Sequence, residues 1–263
     1  AKIYDIQIEN SKIKINLKDK SISSLLNIAA DGKNSLVRKI FKTPIFTKNY
    51  KSSALVTTFN HSIDHNKTAY EFFYQNGPLA ILPMKKQNQK FTSSIVWTNK
   101  NEFLSELIKM ENNKIISILN KNTLNCVGNI NKIISKQIFP LSAHLNSKFY
   151  EKRTIYVGDS AHSFHPIAGQ GWNLGMKDVE SLFNIAKKNK SLGLEPGGDL
   201  FCKEYHNSSF YKAYRLYQLT DKLDNIFKIQ NSIFYYGRSI GLNFIQKNKK
   251  IKNIISDFAM GIN

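Results

Sequence analysis

A short apolar run, "TIYVG", leads directly into "DSAHSFHPIAGQGWNLG" and then into a helical pattern. This strand, glycine-rich loop and helix constrain the fold more than any other part of the chain. Gly158, Gly169, Gly171 and Gly175 let backbone N–H groups approach a ligand without Cβ obstruction. The first turn of the helix that follows has unpaired N–H groups and a partial positive charge, which suits an anionic or electron-rich group. Asp159 stands at the carboxyl end of the apolar run. In open α/β sheets ligands bind there, and a carboxylate can accept hydrogen bonds from a ribose or ribityl hydroxyl. Pro166 stiffens the turn. The helix that follows is read with Gly175, Val179, Leu182, Phe183 and Ala186 on one face.

Other readings of the same stretch explain less. Asp159, His162 and His165 offer a carboxylate and two imidazoles, but zinc takes three or four ligands in a tetrahedral array, and Pro166 interrupts any helix that would present both imidazoles. No metal is expected. Ser160 beside Asp159 does not match the G-x-S-x-G pattern of a hydrolase nucleophile. "GQGWNLG" is G-x-G-x-x-x-G, which is not the dinucleotide fingerprint, and no such fingerprint occurs elsewhere in the chain.

Upstream, "KIYDIQIEN" and "KIKINLKDK" alternate apolar and polar residues and read as strands. Leu25 to Ala30 reads as a buried strand, followed by a turn at Asp31-Gly32 and a short helix with Val37 and Ile40. "ALVTTFNH", "TAYEFFYQ", "LAILPM" and "FTSSIVWT" read as an antiparallel sheet, and residues 101–120 as one helix. From Asp199 to about Tyr236 the chain is read as helical. The order is an α/β layer interrupted by an inserted sheet lobe.

The net charge of +19 is compatible with nucleic acid or an anionic membrane surface. However, Lys, Asn and Ile dominate together, and only Arg38, Arg153, Arg215 and Arg238 are arginine. Base readout leans on arginine forks, so nucleic acid is not an expected partner. The few arginines instead mark positions where a planar fork is needed. Cys126 and Cys202 are too few for a disulfide framework, and no apolar run is long enough to span a bilayer.

Two motifs carry a resemblance to a known family. "GDSAHSFHPIAGQGWNLGMKD" resembles the second flavin-contacting motif of FAD-dependent aromatic hydroxylases with the para-hydroxybenzoate hydroxylase fold, and "ADGKNSLVR" resembles their Asp-Gly motif. Their order and separation match, with a sheet-rich lobe between them. "GPLAILPM", "VWT" and "HPIAGQGWNLG" fit the ubiquinone-biosynthesis subgroup. The resemblance implies an α/β (α+β) fold. An incomplete FAD-binding Rossmann-like domain would comprise 1–41 and the return segment 142–190, with an antiparallel-sheet substrate lobe at 42–141 and a helical region at 191–263. Family members begin with a strand, a G-x-G-x-x-G turn and a helix. This chain begins with Ala1 after that unit, so it is expected to be a fragment.

The implied activity is ring hydroxylation of a polyprenylated phenol in ubiquinone biosynthesis through a C4a-hydroperoxyflavin, with FAD as cofactor, NADH or NADPH as reductant and O2 as co-substrate. A reductase or halogenase of the same fold, or a non-catalytic scaffold member, is the alternative. By resemblance Gly158 and Asp159 meet the ribityl chain, Pro166, Gly169, Gln170, Gly171, Trp172 and Asn173 line the flavin ring, and Asp31 and Gly32 lie near the pyrophosphate with Arg38 supporting their loop. Ser160 stands where the family often has Ala, and Trp172 where Phe is commoner. A bacterial-type, cytoplasmic location peripheral to the inner membrane is expected, with membership of a ubiquinone-biosynthesis complex. The basic, amphipathic segment 242–260 fits either membrane contact or an ordinary packed helix.

Overall fold

The computed structural model describes residues 3–9, 11–164, 170–228, 241, 244–245 and 247–253. Pro166 and Gly169, Arg238, and most of the 242–260 segment lie outside the described residues. The chain forms two compact units: the first takes in Ala1–Lys48 and Ala143–Lys222, and the second Asn49–Ser142.

In the first unit, β1 (Ile3–Glu9), β2 (Lys12–Leu17) and β3 (Ser21–Ser24) form an antiparallel meander. The alternation seen in the sequence sets its register, pairing Ile6 with Ile15 and Ile8 with Ile13. β4 (Asn27–Ala29) follows, then helix α1 (Leu36–Phe41). The expected buried strand at 25–30 is shorter, and only Ala29 is fully buried, while Ile28 remains 49% exposed. An apolar run identifies a strand but does not say whether both faces are covered.

β5 (Ile45–His61) carries the chain into the second unit, where β6 (Tyr70–Tyr74), β7 (Gly77–Pro83) and β8 (Phe91–Lys100) continue an antiparallel sheet. α2 (Asn101–Leu107) and α3 (Asn112–Asn122) pack on one face of it. Leu55, Phe59, Leu79, Ile81, Ile95 and Trp97 meet Leu104, Leu107, Ile115 and Leu119 there. The single helix expected over 101–120 is two, parted between Leu107 and Asn112. The opposite face of the sheet presents Val56, Thr58, Ala80, Leu82 and Val96, half-buried or exposed. β9 (Ile130–Asn146) returns the chain to the first unit.

There β10 (Tyr150–Glu151), β11 (Thr154–Tyr156) and β4 form a small sheet in the order β10-β11-β4, with β11 and β4 parallel. β12 (His162–Ser163) pairs with the end of β9. α4 (Gly171–Ser191) and α5 (Asp199–Lys228) complete the unit. The core joins Ala29, Phe149, Ile155 and Tyr156 to Leu174, Ile185, Phe201 and Tyr205. The buried Tyr205 hydroxyl donates to the Tyr156 carbonyl at 2.8 Å, so α5 is tied to the end of β11 without an unpaired polar atom.

The inward face of α4 is only partly the expected one: Leu182 and Ala186 pack against the core and Gly175 against Gly158, but Val179 and Phe183 do not. Leu174, Asp178, Ile185 and Asn189 are buried, whereas Val179 and Phe183 are 46% and 65% exposed. Two of the inward residues are polar, so an apolar count misplaces the face. Asn189 bonds the Ile185 carbonyl at 2.9 Å and Glu204 at 3.2 Å, and Asp178 bonds groups at the site described below. No helix among the described residues is long and apolar enough to cross a membrane.

The loop between α4 and α5 presses against the chain just before β4. Gly197 has φ +85°, and a Cβ there would meet the Leu25 carbonyl. Gly197→Ala combines backbone strain with a clash against main chain, and is expected to destabilise by about 3 kcal/mol. Gly193→Ala, at φ +68° with no atom within 4 Å, carries strain alone and should lose only about 1 kcal/mol. Equal urea midpoints for the two variants would remove the packing argument.

Candidate functional site

β4 and β11 run in parallel register, Asn27 beside Thr154 and Ala29 beside Tyr156, so both strands end together. The loops that leave them, 30–35 and 157–161, therefore emerge side by side at the carboxyl end of the sheet, the usual ligand position in α/β folds. Ser160 stitches the two ends. Its Oγ accepts from the Val157 N–H at 3.0 Å and donates to the Ala29 carbonyl. That carbonyl also accepts from Val157 N at 3.0 Å. The hydroxyl that replaces the family's alanine thus joins the two strands.

Arg38 joins the two loops. Its guanidinium is 7% exposed, donates from Nη2 to the Lys33 carbonyl at 2.6 Å and from Nη1 to the Ser160 carbonyl at 3.0 Å. Nη1 also lies 3.0 Å from His144 Nε2, which accepts. His144 Nδ1 then donates to Ser163 Oγ at 3.0 Å. A relay thus runs from α1 through β9 to β12.

Burial, and then the positive Arg38 and Lys33, push the His144 pKa from 6.5 down to about 3. The folded chain keeps His144 neutral, while the unfolded chain takes up a proton near pH 6.5. Stability from this group is complete above that pH and is lost as pH falls toward about 3. Urea midpoints should fall across that window with a slope of up to about 1.4 kcal/mol per pH unit from this residue. His144→Gln should show a shallower slope, and an unchanged slope would contradict the assignment.

Asp159 lies on a short 3-10 turn, Gly158–Ser160, and is exposed. Its carboxylate accepts no hydrogen bond from the described side chains, and it faces Lys33 closely enough to oppose the lowering of the Lys33 pKa by burial. Asp31 is engaged differently. Its Oδ2 accepts from the N–H groups of Leu36 at 2.7 Å and Val37 at 3.2 Å, so it caps α1 and aims the Asp31-Gly32-Lys33 turn. Gly32 has φ +79°, which a side chain rarely adopts, and a Cβ at Gly32 or Gly171 would meet no atom within 4 Å. Both backbones border open space.

Gly171, Trp172 and Asn173 form the first turn of α4, with no acidic residue in that turn to occupy its N–H groups. Gln170 is buried and its Oε1 accepts from Asn173 Nδ2 at 3.4 Å, while Trp172 is 77% exposed. The structure therefore gathers Asp31, Gly32, Arg38, Gly158 and Asp159 at the two strand ends. Sequence reasoning passed over Lys33, His144, Ser163 and Asp178. Lys33, Ser163 and Asp178 lie within the two quoted motifs but carry no pattern of their own, and only the pairing of β9 with β12 brings His144 to the loops. Among the described residues no group of three or more His, Cys, Asp or Glu is placed to hold a metal.

An open carboxylate, a glycine-bordered space and a helix N-terminus that no described side chain caps fit the ribityl chain and ring of a flavin. Comparison with known proteins agrees with that fit. The family model described as "FAD binding domain" matches residues 7–188. The chain is 28% identical over 262 residues to the ubiquinone hydroxylase UbiL of Rhodospirillum rubrum, covering 99% of this chain and 60% of that protein. It is 26% identical to the mitochondrial ubiquinone biosynthesis monooxygenase COQ6 of Schizosaccharomyces pombe, covering 92% of this chain and 58% of that one. The chain thus spans about three fifths of the curated relatives it matches. Among solved structures it is similar to HpxO of Klebsiella pneumoniae, complexed with FAD and uric acid, at TM-score 0.72 and 14% identity, covering 98% of this chain and 66% of that one. It is also similar to the Diels-Alderase PyrE3 at TM-score 0.74 and 14% identity, covering 99% of this chain and 55% of that one. At such identity these structures establish the fold.

Proposed function

Because this chain belongs to the FAD binding domain family, we propose that it is part of a monooxygenase that hydroxylates the aromatic ring of a polyprenylated phenol in ubiquinone biosynthesis. The observation that carries the reading is the meeting of Asp159, the Arg38-bridged loops and the N-terminus of α4 at the carboxyl ends of two parallel strands. The relatives named UbiL and COQ6 support the ubiquinone pathway.

When bound, FAD supplies the oxygen activation, with NADH or NADPH as electron source and O2 as co-substrate. The protein's contribution is placement. Asp159 accepts hydrogen bonds from ribityl hydroxyls. The N–H groups in the first turn of α4 would hold the electron-rich edge of the ring, as preorganised donors do elsewhere. Arg38 holds the two loops at a fixed separation. The +19 charge supports contact with an anionic membrane surface, from which a polyprenylated phenol would be drawn.

The test is product analysis. The full-length protein, given FAD, NADH or NADPH and a polyprenylated phenol under isotopically labelled O2, should release a phenol carrying one labelled oxygen on the ring. Reductant consumption with no labelled product would reject a monooxygenase in favour of another flavin chemistry.

A further inference from the structure

We infer that Asp178 is a positioning residue for the flavin cradle, holding the Gly158 turn, β12 and α4 in register through one buried carboxylate oxygen. Asp178 and His162 are each 1% exposed, and Asp178 Oδ2 lies 2.7 Å from His162 Nε2. The same Oδ2 accepts from the Gly158 N–H at 3.1 Å. These bonds reach three separate parts of the cradle. Gly158 immediately precedes Asp159, the residue offered to the ribityl chain. His162 lies on β12, which pairs with the end of β9. Asp178 itself stands on α4, two turns beyond the N–H groups offered to the ring.

Close packing reinforces the clamp. A Cβ on Gly175 would lie 3.6 Å from the Gly158 Cα, so turn and helix are in van der Waals contact one turn before Asp178. His162 is fixed on its other side by stacking on Phe164 (centroids 5.0 Å apart, 19° between planes) and by contact with Phe149 at 5.6 Å. The carboxylate keeps the imidazole proton on Nε2, which fixes the ring's tautomer and orientation. A buried carboxylate is costly, and its pairing is by itself weak evidence for stability. What Asp178 adds that an apolar residue would not is a directed bond to the amide that aims Asp159. The angle between Asp159 and the first turn of α4 therefore depends on it.

This inference rests on the flavin reading above, and the experiment separates the two. FAD affinity and the reduction potential of bound flavin are measured in the full-length protein and in its Asp178→Ala, Asp178→Asn and Asn189→Ala variants. Asn189→Ala removes another buried polar group from the same face of α4, away from the cradle, and serves as the structural control. Asp178→Ala should weaken FAD binding by about tenfold or more, the loss of a charge-assisted bond, and should shift the potential. Asp178→Asn, which keeps one acceptor for Gly158, should recover part of the affinity. Asn189→Ala should lower the unfolding midpoint with affinity and potential unchanged. If Asp178→Ala does not fold, Asp178→Asn is decisive, since it should still show weakened affinity and a shifted potential. Wild-type affinity and potential in the folded Asp178 variants, or equal effects from Asn189→Ala, would overturn the clamp. Absence of FAD binding by the wild-type full-length protein would instead overturn the flavin reading.

Discussion

Arg38→Ala is expected to remove about 4 kcal/mol of stability and to uncouple the two loops of the site. The guanidinium is buried and fixes three acceptors: the Lys33 carbonyl, the Ser160 carbonyl and His144 Nε2. Alanine leaves all three without their donor, and each buried unsatisfied group costs about 1–3 kcal/mol. The side chain also keeps the turn after β4 at a fixed distance from the turn after β11, so flavin affinity should fall along with stability. Arg38→Lys tests the geometry apart from the charge. An ammonium is a point donor and does not span two carbonyls and an imidazole in one plane, so lysine should recover less than half of the loss. Urea unfolding and an FAD titration on the same preparations give both readings. A change in Arg38→Ala of under about 0.5 kcal/mol, the level of an ordinary surface substitution, would mean that the fork does not hold the loops.

Asp159→Ala should give the opposite pattern. The side chain is exposed and accepts no bond from the described side chains, so stability should stay close to that of the wild type. FAD affinity of the full-length protein should fall by about 10- to 100-fold, the value of one or two hydrogen bonds to a carboxylate. Asp159→Asn keeps an acceptor without the charge and should fall between. Lys33, which loses the neighbour opposing its burial, should titrate at lower pH still in Asp159→Ala. The two variants together separate residues that build the cradle from a residue that faces the ligand.

Several of these features were legible in the sequence, and for specific reasons. The alternation over residues 3–17 gives strands in register because period two can satisfy only a pleated surface. Scarce arginine in a lysine-rich chain was informative. Arg38 uses its fork on two carbonyls, and Arg153 uses its own on the Leu25 carbonyl at 2.9 Å and on both Glu195 oxygens at 3.3 Å. The glycine-rich stretch announced a loop between strand and helix. What stayed hidden depended on long-range pairing. His144 lies in an ordinary strand, and only the antiparallel pairing of β12 with β9 sets it beside Ser163. Asp178 stands outside the apolar pattern of α4, which pointed to Val179 and Phe183 instead. The packing of Gly175 against Gly158 turns the helix so that a carboxylate faces inward, and hydrophobic periodicity carries no information about that.

The central claim is that the carboxyl ends of β4 and β11, with the first turn of α4, hold the FAD. A structure of the full-length protein crystallised with FAD tests it most directly. The account predicts the Asp159 carboxylate within hydrogen-bonding distance of a ribityl hydroxyl, and the pyrimidine edge of the ring against the N–H groups at Gly171–Asn173. A flavin seated elsewhere, or one whose ribityl chain leaves Asp159 facing bulk water, would contradict it.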